Sequence, residues 1–208
     1  MLEAIAPLDP KNVVRGQFRG YRDEPGVAAD SRVETFAAVR FQIDNWRWAG
    51  VPFYARTGKC LPANCTEVLV ELKAPPCSSF SEKMERPNYV RFRLGPDVAI
   101  AVGVRSKVPG EVMIGREVEL LATQGVSGEE EMDAYERLLG DAMKGDATLF
   151  AREDVVEAEW RIVAPILAST SPPHEYEAGT WGPAEADRLI DRAGGWHQPQ
   201  PAPPRRSS

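Results

Sequence analysis

Between Phe36 and Thr123 the chain runs through short stretches in which apolar and polar residues alternate. In FAAVRFQID, Ala37, Val39, Phe41 and Ile43 fall on one side, with Arg40 and Gln42 on the other. A period of two is the mark of a half-buried strand. PFYAR reads as a second strand, after a turn at NWRWAG that Asn45 can cap. TEVLVELK alternates again, Val68, Val70 and Leu72 against Glu67, Glu71 and Lys73. YVRFRL and VAIAVGV continue the pattern through Val90, Phe92 and Leu94, then Val98, Ile100, Val102 and Val104. RLGPDV between them has hairpin length, and REVELLAT is a further candidate strand. Before this series, GQFRGYRDEPGVAADS is polar and glycine-containing and predicts no regular element.

The period then changes. Tyr135, Leu138, Leu139, Ala142 and Met143 recur at helical spacing in DAYERLLGDAM. EDVVEAEWRIVAPIL predicts a second helix, bent or interrupted at Pro165. GPAEADRLIDRAG predicts a third, with Pro183 at its first position and a glycine after its end. Strands first and helices later, without alternation, predict an α+β fold: a large, mostly antiparallel β-sheet with helices packed on one face. The folded domain is expected over residues 1–195. Residues 196–208, ending QPQPAPPRRSS, are expected to form a disordered proline-rich tail that buries too little apolar area to offset its ordering.

Composition adds exclusions. The 208 residues are 43% hydrophobic and 27% charged, as in an ordinary globular protein. A formal charge of −6 argues against general binding to nucleic acid or anionic membranes. No apolar run reaches spanning length, and the opening MLEAIAPLDPKN does not resemble a secretory signal. Cys60, Cys65 and Cys77 lack metal-ligand spacing and are read as reduced thiols, which makes the cytoplasm the default location. Neither a G-x-G-x-x-G nor a G-x-x-x-x-G-K-[ST] loop is present to cradle a nucleotide phosphate. His174 lies in a proline-punctuated loop and His197 in the tail, so neither has the fixed partner a general base needs. No catalytic residue and no metal site is expected.

Two segments offer binding chemistry. VVRGQFRGYRDEPGV sets Arg15, Arg19, Arg22 and Tyr21 among glycines; the guanidinium groups could clasp an anion or pair with Asp23 and Glu24. PFYARTGKCLP ends a strand on Arg56, Thr57, Gly58 and Lys59, read as a basic turn that suits a phosphate or is simply a solvated loop. Trp46 and Trp48 could stack on a ligand or anchor a sheet edge.

Five collinear blocks carry a resemblance: VVRGQFRGYRDEPGV, DNWRWAGVPFYARTGK, DAYERLLGDAMKGDATLF, EAEWRIVAPIL and YEAGTWGPAEADRL. In this order they resemble the C-terminal domain of glucose-6-phosphate dehydrogenase across nearly all of residues 7–194. The resemblance implies oxidation of glucose 6-phosphate to 6-phosphoglucono-δ-lactone with NADP+, the first step of the pentose phosphate pathway. It implies that Lys59 contacts the substrate, and that a homodimer forms through the sheet. In the strands here the face opposite the main apolar row carries Leu69, Ala99, Ala101 and Gly103, and that face is expected to meet the twin subunit. Asn64 stands where many relatives carry a second basic residue. Arg93 matches one residue of a structural NADP+ site found in some eukaryotic members, but Ala101, Gly103 and Trp181 replace its other ligands, so no cofactor site is expected in this chain. The family's coenzyme domain, with the catalytic histidine and a motif of R-I-D-H-Y-L-G-K type, is expected to lie outside the chain. The chain is therefore expected to be inactive without a coenzyme-binding domain, for which a separate Rossmann-domain chain is one candidate source. A different reading of the same features is a stand-alone oligomerisation or regulatory module; a third is a sugar-phosphate binding module that keeps only the Lys59 site.

Overall fold

The computed structural model describes residues 1–74, 87–123, 134–190 and 194–200. Cys77 lies outside these residues, as does the end of the proline-rich segment, 201–208. The chain divides into two units, one drawn from residues 1–61 and 128–195 and the other from 62–127 and 196–208. The strands accordingly form two four-stranded sheets rather than one large one. The α+β class and the mostly antiparallel pairing are as expected.

In the first unit the strands are β1 (Val13–Phe18), β2 (Phe36–Gln42), β3 (Pro52–Gly58) and, far along the chain, β8 (His174–Tyr176). Their order is β3-β2-β1-β8, with β1 and β8 parallel and the other pairs antiparallel. Both β1 and β8 differ from the sequence expectation, which left GQF and HEY as irregular segments. Their pairing joins residues more than 150 positions apart (Gly16 with His174, Phe18 with Tyr176), and no local pattern encodes it.

Two α-helices follow the strand-rich part, α1 (Ala134–Lys144) and α2 (Glu153–Leu167). Pro165 sits inside α2 near its end instead of starting a new piece. Ile162, Val163 and Ile166 of α2 pack with Leu8, Val13, Val39 and Phe41, covering one face of the sheet. The alternate residues Val14, Phe36 and Ala38 are almost completely buried on the opposite side. There Pro183 lies against Gly16, ahead of a 3₁₀ helix over Ala184–Leu189. The third expected α-helix is thus a shorter 3₁₀ element that Pro183 caps. In α1, Tyr135, Leu139 and Met143 lie one turn apart and are 77%, 66% and 89% exposed.

The second unit holds β4 (Thr66–Glu71), β5 (Tyr89–Gly95), β6 (Ala99–Lys107) and β7 (Gly115–Thr123), an antiparallel meander in sequence order. Register sets the long side chains of β5 beside the small residues of β6: Tyr89 opposite Gly103, Arg91 opposite Ala101 and Arg93 opposite Ala99. A Cβ added at Gly103 would lie 2.2 Å from the Tyr89 ring. These side chains roof their neighbours, so Ala99, Ala101 and Gly103 are buried. On the face expected to meet a twin subunit, the small residues are therefore covered by side chains of the same sheet, while Leu121 beside them stays 57% exposed. The aliphatic face is exposed, with Val68, Val70, Ile100, Val102 and Leu120 each more than a third exposed.

A charged network fastens the small-residue face. Glu67 accepts hydrogen bonds from Arg91 (3.1 Å) and Arg93 (3.0 Å), and its other oxygen lies 2.5 Å from His197 Nε2. Arg91 also pairs with Glu119, and the Tyr89 hydroxyl donates to Glu119 at 2.7 Å. Arg93 donates to the Gln200 carbonyl at 2.7 Å, so Trp196–Gln200, assigned above to the tail, lies against this sheet. Burial alone would raise the Glu67 carboxyl, but the hydrogen bonds from His197, Arg93 and Arg91 outweigh it and hold it below the usual glutamate range. Burial and the adjoining carboxylates Glu119 and Glu117 push the Tyr89 phenol upward, which keeps it a donor.

Candidate functional site

Arg56, Thr57 and Gly58 belong to β3, and Lys59 is the first residue past its end. The expected four-residue turn is thus shorter, and it begins at the lysine. Gly58 is required by packing: a Cβ there would come within 2.8 Å of the Phe36 ring. From another segment Gly182, at φ +102°, approaches the same ring even more closely, with a hypothetical Cβ at 2.4 Å. Phe36 is 2% exposed and lies between the two glycines. The glycine of R-T-G-K therefore lets the strand end settle on a core aromatic.

The backbone at Lys59 is pinned on both sides. Its N–H donates to the Thr35 carbonyl at 2.8 Å, and its carbonyl accepts from the Tyr176 hydroxyl at 2.8 Å. The next carbonyl, of Cys60, accepts from the Gly179 N–H at 2.8 Å. Cys60 itself adopts φ +53°, an uncommon backbone for a residue with a side chain. Lys59 is exposed, so a fixed backbone projects its ammonium outward. One strand turn earlier the Arg56 guanidinium stacks 4.5 Å above the Trp181 ring.

Tyr176, 3% exposed, closes this arrangement from below. The Phe18 N–H donates to Thr35 Oγ1 at 2.9 Å, and Thr35 Oγ1 lies 3.1 Å from the Tyr176 oxygen. The single Tyr176 proton has the Lys59 carbonyl at 2.8 Å and the Thr35 carbonyl at 3.3 Å as acceptors; with that proton spent on a carbonyl, the threonine hydroxyl is the donor between the two hydroxyl oxygens. Burial raises the Tyr176 phenol above its ordinary value, so it stays protonated and donating. Sequence reasoning missed Tyr176 because its strand was not legible.

The other candidates are engaged elsewhere. Arg15 donates to the Ser169 and Ser171 carbonyls, Arg19 pairs with Glu175 and Glu177, and Arg22 donates to Gln17 and the Ser31 carbonyl. These arginines tie β1 and its following loop to neighbouring chain, and Asp23 and Glu24 are not their partners in these contacts. Trp48 packs edge-on against Phe53 at 5.3 Å, whereas Trp46 is 92% exposed. The Nδ1 of His174 lies 3.2 Å from Glu185. The Arg93 guanidinium meets Glu67 and the Gln200 carbonyl, and the facing Ala101 and Gly103 bring no polar side chain. Among the described residues no cluster of His, Cys, Asp or Glu could hold a metal ion, and no helix is long and apolar enough to cross a membrane.

Fold and turn together define an α+β domain that presents one lysine from a rigid strand end. Comparison with known proteins gives the class a family. The family model "Glucose-6-phosphate dehydrogenase, C-terminal domain" matches residues 1–197. Glucose-6-phosphate 1-dehydrogenase of Aggregatibacter actinomycetemcomitans is 44% identical over 218 residues, covering 96% of this chain and 44% of the relative. Glucose-6-phosphate 1-dehydrogenase 1 of Mycobacterium tuberculosis (strain CDC 1551 / Oshkosh) is 41% identical, covering 96% and 42%. The crystal structure of the Mycobacterium avium enzyme superposes with a TM-score of 0.86 at 43% identity, covering 96% and 43%. A glucose-6-phosphate dehydrogenase solved in complex with glucose-6-phosphate gives 0.79 at 28% identity, covering 96% and 44%. The chain belongs to the glucose-6-phosphate dehydrogenase C-terminal domain family. It spans less than half the length of these relatives.

Proposed function

We propose that this chain supplies the sugar-phosphate side of a glucose-6-phosphate dehydrogenase, acting in the cytoplasm. Combined with a coenzyme-binding portion, it takes part in oxidising glucose 6-phosphate to 6-phosphoglucono-δ-lactone with NADP+ as acceptor. The observation that carries this reading is the Lys59 turn, a projecting ammonium on a backbone held at both polar groups of Lys59 and at the Cys60 carbonyl. Lys59 would donate a charge-assisted hydrogen bond to the phosphate or a hydroxyl of the sugar. Hydride transfer and proton removal fall to the coenzyme-binding portion, since no group in this chain is read as the base. Two uncovered apolar surfaces, the α1 stripe and the aliphatic face of the β4–β7 sheet, support the view of a part that is covered in a larger assembly.

Assay of the chain with and without a co-expressed coenzyme-binding portion tests this. Activity is expected only in the combination. There Lys59→Ala should raise KM for glucose 6-phosphate far more than for the coenzyme. The loss is one charge-assisted hydrogen bond, about 1.5–3 kcal/mol or roughly ten- to a hundredfold in kcat/KM. An unchanged KM would make the turn a solvated basic loop, and activity of the chain alone would overturn the division of labour.

Self-association is the second element of the proposal. The exposed row of Val68, Val70, Ile100, Val102 and Leu120 is an apolar patch on a regular sheet, suited to a twofold contact with a second copy. A dimer by light scattering at micromolar concentration is expected; a monomer would rule it out.

A further inference from the structure

We infer that Tyr176 is a positioning residue for Lys59, working through its hydroxyl; this rests on the reading of Lys59 as the substrate contact. The phenol stands in an ordered relay of donors: Phe18 N–H to Thr35 Oγ1, the Thr35 hydroxyl to Tyr176, and the Tyr176 hydroxyl to the Lys59 carbonyl. Every link is internal, because Tyr176 is 3% and Thr35 9% exposed. Thr35 meets Lys59 a second time, accepting the lysine N–H on its own carbonyl. One buried threonine–tyrosine pair thus fixes both backbone groups of the lysine.

The turn needs this hold. Cys60, immediately after the lysine, occupies the left-handed region at φ +53° without being a glycine. Such a conformation persists only where surrounding contacts over-determine it. Here the contacts are the Tyr176 bond to Lys59 and the Gly179 bond to Cys60. Tyr176 reaches this position because β8 pairs in parallel with β1, and because its ring lies against Phe36 (5.6 Å between centroids) and Phe18 (6.5 Å). Removing the oxygen while keeping the ring leaves the core filled and frees the lysine carbonyl. Cys60 can then relax, and the ammonium loses its fixed origin. The hydroxyl itself is turned into the protein, toward Thr35 and the Lys59 carbonyl.

The test is a mutant cycle in the dehydrogenase holoenzyme that contains this chain, comparing Tyr176→Phe, Lys59→Ala and the double variant. Tyr176→Phe is expected to raise KM for glucose 6-phosphate about fivefold, the worth of one neutral hydrogen bond, with the coenzyme KM unchanged. In the Lys59→Ala background the same change should have no further effect on KM, because the tyrosine acts only through the lysine. An equal rise in both backgrounds, or none in the wild-type background while Lys59→Ala is impaired, overturns the proposal. An unimpaired Lys59→Ala refutes the Lys59 reading instead, and with it the inference. Thr35→Val, which removes the preceding donor, supplies a second variant should Tyr176→Phe fold poorly. It should raise the same KM, and Thr35→Ser should restore it; a Thr35→Ser as impaired as Thr35→Val would count against the relay.

Discussion

Replacing Glu67 by glutamine changes one charge in the most heavily bonded spot of the second unit. The carboxylate side chain is 2% exposed and faces Arg91, Arg93 and His197 within 3.1 Å. Breaking a buried ion pair by neutralising one partner ordinarily costs about 3–5 kcal/mol, because the remaining charge is left uncompensated. Here the arginines are only partly orphaned, since Arg91 keeps Glu119 and Arg93 keeps the Gln200 carbonyl. The lower end of that range, about 3 kcal/mol, is therefore expected. At roughly 2–4 °C per kcal/mol for a chain of this size, the melting temperature should fall by about 6–12 °C. Thermal unfolding followed by circular dichroism at neutral pH reads this directly. The pH dependence supplies an internal check. Because the Glu67 carboxyl is held below its ordinary value, its stabilisation is complete above the unfolded-state pKa, about 4.3, and is lost as pH falls through the folded value. The gap between wild type and Glu67→Gln should therefore narrow on acidification. A variant melting within a degree or two of wild type at pH 7, with no such narrowing, would mean that desolvation of the carboxylate cancels its attractions. The network would then contribute nothing net to the sheet.

Two further outcomes follow from packing. Gly182→Ala should destabilise the first unit by at least about 1–2 kcal/mol from the left-handed backbone alone, with the 2.4 Å approach to Phe36 adding to it. A stability within 0.5 kcal/mol of wild type in urea titration would contradict that geometry. Ile100→Asp, on the exposed aliphatic face, should abolish self-association while leaving the circular dichroism spectrum unchanged; a persistent dimer would place the contact elsewhere.

The local pattern of the sequence determined the elements whose partners are their neighbours. The alternation at Phe36–Gln42, Thr66–Glu71, Tyr89–Gly95, Ala99–Lys107 and Gly115–Thr123 was legible because each run writes its own period of two, and most of these strands pair through a short connection. The helices over Ala134–Lys144 and Glu153–Leu167 were legible for the corresponding reason. Lys59 was visible through the blocks that resemble a known family. Only the tertiary structure decided what depends on distant segments. The three-residue strand of Tyr176 exists because β1 lies beside it, and its flanking prolines gave no sign of it. Alternation separates the faces of a sheet without saying which is buried. Here β5 holds Tyr89, Arg91 and Arg93 over Gly103, Ala101 and Ala99, so large residues covered the small ones and left the aliphatic face open. The glycine before Lys59 likewise reads as loop composition in the chain, and acquires its reason only when Phe36 arrives beneath it. Propensity and period are properties of neighbours in sequence, whereas the site at Lys59 is built from Thr35 and Tyr176, which only folding brings together.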